Sequence, residues 1–251
     1  MADALQILPL NGLPEIRPGD DLAGLILSAS ALHGPQLQTG DVIVVAQKAV
    51  SKAEGRLVQL DSVTPSPFAL AYAKTFDKDP RHVEVVLKES RRVVRMDHGV
   101  LIVETYGGLV CANAGVDASN VEGEEVLCLL PVDSDASAAG LAGMIQERTS
   151  ARVAVIISDT FGRPWREGQT NVAIGVAGVD PLKNYVGQRD QYGYELRVTL
   201  LCVADELASA AELVMGKIDR VPVAIVRGFD YEPVEGSARA IVRAAEKDLF
   251  R

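Results

Sequence analysis

Along this chain, unbroken apolar runs alternate with segments whose apolar positions recur every three or four residues. The runs are short and rich in Val, Ile and Leu: Val42–Val45, the segment GVLIVETYGGLVCANAG, Val153–Ile157, NVAIGVAG and PVAIVRG. Runs of that length, bounded by glycine or polar residues, predict buried strands. A short strand is also expected within Met1–Leu10, closed by Pro9 and Gly12, and another in ELRVTLL ahead of a helix starting at about Val203. Helical spacing marks RPGDDLAGLILSAS, where Asp20 or Asp21 caps and Leu22, Leu25 and Ile26 form the buried stripe. It also marks Pro67–Phe76, Pro80–Val94, ASAAGLAGMIQERTS and the C-terminal Gly236–Phe250, while Asp190–Gly193 reads as a turn. Strands and helices interleave, so the class is α/β or α+β with a mixed sheet. No linker, repeat or low-complexity tract divides the 251 residues. A single domain over 1–251 is expected, with no boundary between compact lobes legible.

Composition narrows the function. Aromatic residues are only 5% of the chain, so the core must be built from Val, Leu, Ile and Ala. A net charge of -9 argues against a general nucleic-acid binder or an anionic-membrane binder, although a local basic pocket can still take an anionic ligand. Every apolar run breaks well short of about 20 residues, so no membrane-spanning helix is expected. The N-terminus MADALQILPLNG shows no secretory signal. Cys111, Cys128 and Cys202 lie far apart without CxxC spacing, as expected of reduced, mostly buried thiols in a cytoplasmic protein. His33, His82 and His98 show no ligand spacing, which removes a histidine metal centre from consideration.

Short nucleotide and hydrolase motifs are absent. Gly216-Lys217 has Ala211 where a P-loop needs glycine and Ile218 where it needs Ser or Thr; no GxGxxG follows a strand and no GxSxG occurs. Three apolar strands nevertheless exit into polar groups flanked by glycine. The first exit carries Lys48, Lys52, Glu54 and Arg56; the second Asn113, Asp117, Ser119 and Asn120; the third Asp159, Thr160, Arg163, Arg166, Gln169 and Asn171. Strand ends are where rigid scaffolds expose ligand groups. Asp117, Asp159 and the Thr160 hydroxyl are hard oxygen donors suited to Mg²⁺ or Mn²⁺, and Lys52, Arg163 and Arg166 could neutralise phosphate oxygens. Each feature also has a structural alternative. Asp159 could cap a helical turn, GVDASN could be an Asx-turn opening a helix, and Lys48 and Lys52 could be solvated surface. Trp165 could be packing, and Asp205-Glu206 could favour a helix dipole.

Taken together, GLPEIRPGDDL, GDVIVVAQKAVSKAEGR, AGVDASN, ISDTFGRPWREGQTNVAIGVAG and VADELASAAELVMGK...PVAIVRG resemble the coenzyme F420-0:L-glutamate ligase family, in order from about Leu8 to Gly228. The blocks SDTFGRPWREGQTN and AGVDASN carry the resemblance most specifically. It implies an α+β fold with a mixed β-sheet, no P-loop and an intertwined homodimer. It implies a GTP-dependent ligase that joins L-glutamate to the lactyl carboxylate of coenzyme F420-0 through an acyl phosphate, and that can add further γ-linked glutamates. A divalent metal, Mg²⁺ or Mn²⁺, is implied as cofactor, with room for a monovalent cation. Position by position, the resemblance implies Asp117, Asp159 and Thr160 as metal ligands. It implies the loop Leu13, Pro14, Glu15 and Ile16, together with Gln47, Lys52 and Asn120, as nucleotide contacts. Gln47 stands where a small hydroxyl residue is expected. Arg163 and Arg166 as phosphate or transition-state clamps rest on chemistry alone. Some members carry a C-terminal nitroreductase-like region, and that activity is not expected of this chain. Three other readings remain open: an ATP-dependent ligase for a different acid, a non-catalytic nucleotide sensor, and a metal phosphohydrolase.

Overall fold

The computed structural model describes residues 4–118, 123 and 125–248. In chain order its elements are β1 (Gln6–Pro9), α1 (Leu22–His33), β2 (Val42–Ala46), α2 (Gln47–Ala53), β3 (Leu57–Gln59), α3 (Pro67–Phe76), α4 (Pro80–Lys88), β4 (Ser90–Asp97), β5 (Val100–Thr105), β6 (Val110–Ala112), β7 (Val126–Cys128), α5 (Ser134–Thr149), β8 (Ala154–Arg163), β9 (Arg166–Ala177), β10 (Leu182–Asn184), β11 (Leu200–Cys202), α6 (Val203–Met215) and β12 (Val223–Arg227). The result is a mixed α+β architecture. No helix among the described residues is long and apolar enough to cross a membrane.

Most of the apolar runs assemble into a sheet of order β1-β12-β2-β8-β9. Its pairings are antiparallel except for β2 with β8, which run parallel. Helices cover both faces. On one, Ile43, Val45, Val155 and Ile157 pack with residues of α1, α2 and α5, among them Ile26, Val50, Leu141 and Ile145. On the other, Val42, Val44, Ala154 and Ile156 pack with Ala204, Leu207, Ala208, Ala211 and Met215 of α6. Successive strand side chains point to opposite faces, so a strand covered on both must be apolar throughout. A third cluster, including Tyr72, Val83, Val86, Leu101, Val103 and Leu127, fills the long crossover between β2 and β8, around α3, α4, β5 and β7.

Several elements depart from the local pattern. The helix expected over Pro80–Val94 stops at Lys88, and Ser90–Asp97 becomes β4, because the segment around β-branched Val93 finds a partner strand in β5, Val93 opposite Val103. The GVLIVETYGGLVCANAG segment is not one strand. Tyr106, Gly107 and Gly108 turn the chain, so that β5 and β6 pair antiparallel. What reads as a basic exit after Val45 is the helix α2. Among the described residues, the expected C-terminal helix over Gly236–Phe250 is replaced by two isolated 3-10 turns, Ala238–Ile241 and Ala245–Lys247. There, tertiary bonds outcompete a short helix of marginal intrinsic stability: Ala238 N and Ser237 Oγ donate to the Asp135 carboxylate. Asp21, one of the two candidates, is the cap of α1, accepting from Gly24 N at 3.1 Å.

Polar groups close the sheet where apolar packing cannot. At the β9 edge a register shift falls between Ile157 and Ser158 of β8. Beside it, the amides of Ala173 and Val176 donate to Asp205 and Asp135 from the first turns of α6 and α5, each at 2.8 Å. Asp205 thus has a structural task beyond favouring the helix dipole. At the start of β2, Asp41 is 1% exposed and accepts from Arg227 Nε and Nη2, both at 2.8 Å, in a bidentate pair. This pair holds the guanidinium pKa of Arg227 above its ordinary value. Removing one partner would leave Asp41 buried without its counter-ion. Arg227→Leu is therefore expected to lower the unfolding free energy in urea by about 3 kcal/mol. Arg95→Leu, from the exposed pair with Asp97, should cost under about 1 kcal/mol. Equal losses in the two variants would refute the assignment.

Candidate active site

Parallel pairing brings the exits of β2 and β8 to one edge of the sheet, with Ala46 opposite Ser158. Leaving β2, the chain enters α2, which carries Lys48 and Lys52 one turn apart. Leaving the core on β8, it runs through Asp159 and Thr160, which remain in the strand and cap no helix. Asp117 reaches the same edge through a reciprocal backbone bridge with Cys128: its N–H donates to Cys128 O at 3.0 Å, and Cys128 N–H donates back at 2.8 Å. Lys48 Nζ lies 2.7 Å from Asp117 Oδ2. Burial pushes the Asp159 carboxyl up to about 6; the Thr160 amide and the Lys48 ammonium pull it down, and the Asp117 carboxylate pushes it up again. Asp117 and Asp159 are therefore close enough to repel, and Lys48 acts on both.

Asp159 and Thr160 face opposite sides of the sheet. Ile157 and Phe161 belong to the core shared with α1, α2 and α5, which places Asp159 on that side by alternation. Thr160 turns towards α6. Its Oγ1 donates to Asn171 Oδ1 at 2.7 Å and accepts from Lys217 Nζ at 2.6 Å. Lys217 also pairs with Glu212 at 2.7 Å, and Glu212 Oε2 accepts from Asn171 Nδ2 at 2.8 Å. The donors expected to form one set thus lie in two oxygen clusters flanking β8. Carboxylate and hydroxyl oxygens of this kind suit Mg²⁺ or Mn²⁺. Among the described residues no group of three or more His, Cys, Asp and Glu side chains gathers. An ion here would therefore complete its shell with water and phosphate oxygens, as Mg²⁺ commonly does.

The other expected site residues fall into three groups. Lys52 Nζ meets Glu15 Oε1 at 2.5 Å, joining α2 to the loop Leu13–Ile16. In that loop Ile16 is a core residue and Leu13 packs against the same core, leaving Pro14 and Glu15 exposed. Gln47 is brought to the edge but points inward: it is 2% exposed and accepts from Ser51 Oγ at 2.9 Å. Asn120 lies outside the described residues. Arg163 and Arg166 are opposite each other at the tip of the β8–β9 hairpin. Arg163 lies three strand steps beyond Thr160, or about 10 Å, and both arginines are exposed. Trp165, with φ 58° at the turn, is 80% exposed and is no part of the core clusters.

Lysines, not arginines, flank the carboxylates in this chain. Lys217 and Glu212 were not among the expected site residues. Their only local signal is Gly216-Lys217, which fails as a P-loop, and nothing nearby in sequence links Lys217 to Thr160, 57 positions away.

A family model described as F420-0:Gamma-glutamyl ligase matches residues 12–228. The chain is 45% identical over 250 residues to the coenzyme F420:L-glutamate ligase of Methanothermobacter thermautotrophicus, covering 98% of this chain and 99% of that protein. It is 48% identical over 252 residues to the protein of the same name from Methanopyrus kandleri, covering 98% of each. A third, from Archaeoglobus fulgidus, is 45% identical over 248 residues, covering 98% of this chain and 96% of that protein.

A half-buried carboxylate with a raised pKa has a pH signature. Between the ordinary value of 3.8 and about 6, folded Asp159 binds more protons than the unfolded chain does, so its contribution to stability falls as pH rises through that window. In EDTA, Asp159→Asn should therefore gain stability relative to wild type between pH 4 and pH 7 in urea unfolding. The same difference at both pH values would refute the buried-charge account.

Proposed function

The chain belongs to the F420-0:gamma-glutamyl ligase family, and from that premise we propose that it joins L-glutamate to the lactyl carboxylate of coenzyme F420-0, with GTP converted to GDP and phosphate. The observation in the molecule that supports this reading is the facing of Asp117 and Asp159 under Lys48 at the common exit of β2 and β8. In the proposed sequence a substrate carboxylate oxygen attacks the γ-phosphorus, the bond from that phosphorus to the bridging oxygen breaks, and GDP leaves. The glutamate amine then attacks the acyl carbon, phosphate leaves, and the amine proton passes to solvent. The first step brings two anions together, so positioning and charge neutralisation do most of the work.

The residues divide that work. A bound Mg²⁺ or Mn²⁺ supplies neutralisation of phosphate charge; Asp117 and Asp159 are the oxygens that would hold an ion on one side of β8, and Thr160 the oxygen that would meet an ion on the other. Lys48 and Lys217 are ammonium groups beside those oxygens, within reach of an incoming triphosphate. Lys52, anchored by Glu15 of the loop Leu13–Ile16, faces the nucleotide in this reading; Gln47 supports α2 from inside. Without a P-loop the phosphates would be met by side chains rather than by a glycine-rich backbone cradle. Arg163 and Arg166 lie at the exposed hairpin tip, where Arg163 Nη2 donates to Glu167 O at 2.9 Å. That suits a role across an intertwined homodimer, in which one copy's hairpin serves the other copy. Addition of further γ-linked glutamates would follow from rebinding of the first product.

Mass spectrometry of a reaction containing F420-0, L-glutamate, GTP and Mn²⁺ tests the reading. A product heavier by one or more glutamyl units, dependent on GTP and glutamate, is expected. Phosphate release that ignores glutamate would point to a phosphohydrolase, and turnover with ATP on another acid to a different ligase. Asp159→Ala should abolish product formation while keeping a cooperative melt. A normal rate in that variant would sink the metal assignment.

A further inference from the structure

We propose that Asn171 is a positioning residue that fixes the Thr160 hydroxyl as a cation ligand, an inference that rests on the metal-dependent reading above. Asn171 is 3% exposed and stands opposite Thr160 in the β8–β9 ladder. Its backbone carbonyl accepts from Ser209 Oγ at 2.7 Å, which ties the strand to α6. Its side-chain amide has one electrically allowed orientation. Glu212 Oε2, a carboxylate acceptor, lies 2.8 Å from Nδ2, so that corner must be the NH₂ group. Oδ1 is then the acceptor at the other corner, where it meets Thr160 Oγ1 at 2.7 Å and Lys217 Nζ at 3.4 Å. Lys217 carries only donors and cannot take the Thr160 proton. The Thr160 hydroxyl must therefore point its hydrogen at Asn171.

That choice decides what the other side of the oxygen offers. With its proton committed, Thr160 Oγ1 presents only lone pairs, and one of them already accepts an ammonium hydrogen at 2.6 Å. The other lone pair is the one open to an ion, and Lys217, already paired with Glu212 at 2.7 Å, would turn to that carboxylate as the ion arrives. Were the hydroxyl free to rotate, its hydrogen would spend part of its time directed at the cation. Partners that orient a ligand in this way usually matter to metal affinity by about 10- to 100-fold. The chain of constraint runs from Glu212 through the Asn171 amide to the Thr160 proton, and it crosses from α6 to the strand that carries Asp159.

The test is Mn²⁺ binding to the purified full chain, without nucleotide, read from the EPR signal of free Mn²⁺. Asn171→Ala is expected to weaken binding by about 10- to 100-fold, and to change it no further in a Thr160→Ala background. A purely structural role would lower affinity equally in both backgrounds, and that result, or unchanged affinity in Asn171→Ala, overturns the proposal. Because Asn171 is buried, Glu212→Gln provides a second variant of nearly the same shape. It lets the Asn171 amide turn over, and its loss of Mn²⁺ affinity should likewise require Thr160. An equal loss with and without Thr160 counts against the proposal. Failure of the wild-type chain to bind Mn²⁺ would overturn this inference together with the metal reading. Mn²⁺ binding without any glutamylated product would overturn the ligase reading alone, and the mutant cycle would still decide the role of Asn171.

Discussion

The parallel register of β2 against β8 is the constraint on which the site depends. With Ala46 opposite Ser158, the start of α2 and the Asp159 strand end leave the sheet side by side. Strand side chains alternate, so a slip of one residue would exchange the faces of Asp159 and Thr160, taking the carboxylate from Lys48 and the hydroxyl from Asn171. The register is held from below as well as within the ladder. Gly40 N–H donates to Arg152 O at 2.9 Å and Ala154 N–H to Asp41 O at 3.0 Å. The Asp41 carboxylate, in turn, is clamped by Arg227 of β12. A buried ion pair at one end of the strands thus helps to align the polar groups at the other.

The polar end concentrates charge that the fold by itself does not favour. Asp159 has its pKa raised by burial and by Asp117, and Lys48 and Lys217 only partly offset this. Such sites are usually destabilising to the folded chain and persist because the surrounding structure over-determines them. Here the surroundings are two helix-covered faces that leave β8 no freedom until it passes Thr160. An overall charge of -9 is compatible with an anionic ligand because the lysines of α2 and the residue after Gly216 are brought to one edge.

Beyond Thr160 the same two strands continue as a ribbon to the turn at Pro164-Trp165. Local reading ends one strand at Ile157 and begins the next at Asn171, because neither face of the ribbon between them is apolar. The ladder from Thr160–Asn171 to Arg163–Arg166 keeps it extended. The β4 segment is a related case. Arg91 and Arg92 continue a helical pattern from α4, yet the neighbouring Val93 pairs with Val103 of β5, and both arginines reach Glu104, which is 8% exposed. Long-range pairing outweighs local propensity in both places.

Much of the fold was legible in the sequence alone. Val42–Val45, Val153–Ile157 and PVAIVRG could only be buried strands, and the capped, periodic segments at Leu22, Pro67 and Val203 could only be helices, because those patterns reflect burial a residue at a time. The blocks around Asp117 and Asp159 likewise marked polar groups at strand ends and identified the family. Tertiary structure alone decided which groups meet. Sequence cannot show that Lys48 reaches Asp117 across the crossover, that Thr160 turns away from Asp159 to meet Lys217, or that Gln47 points inward. Contacts between residues far apart in the chain follow from strand order and register, and register is a property of the whole sheet.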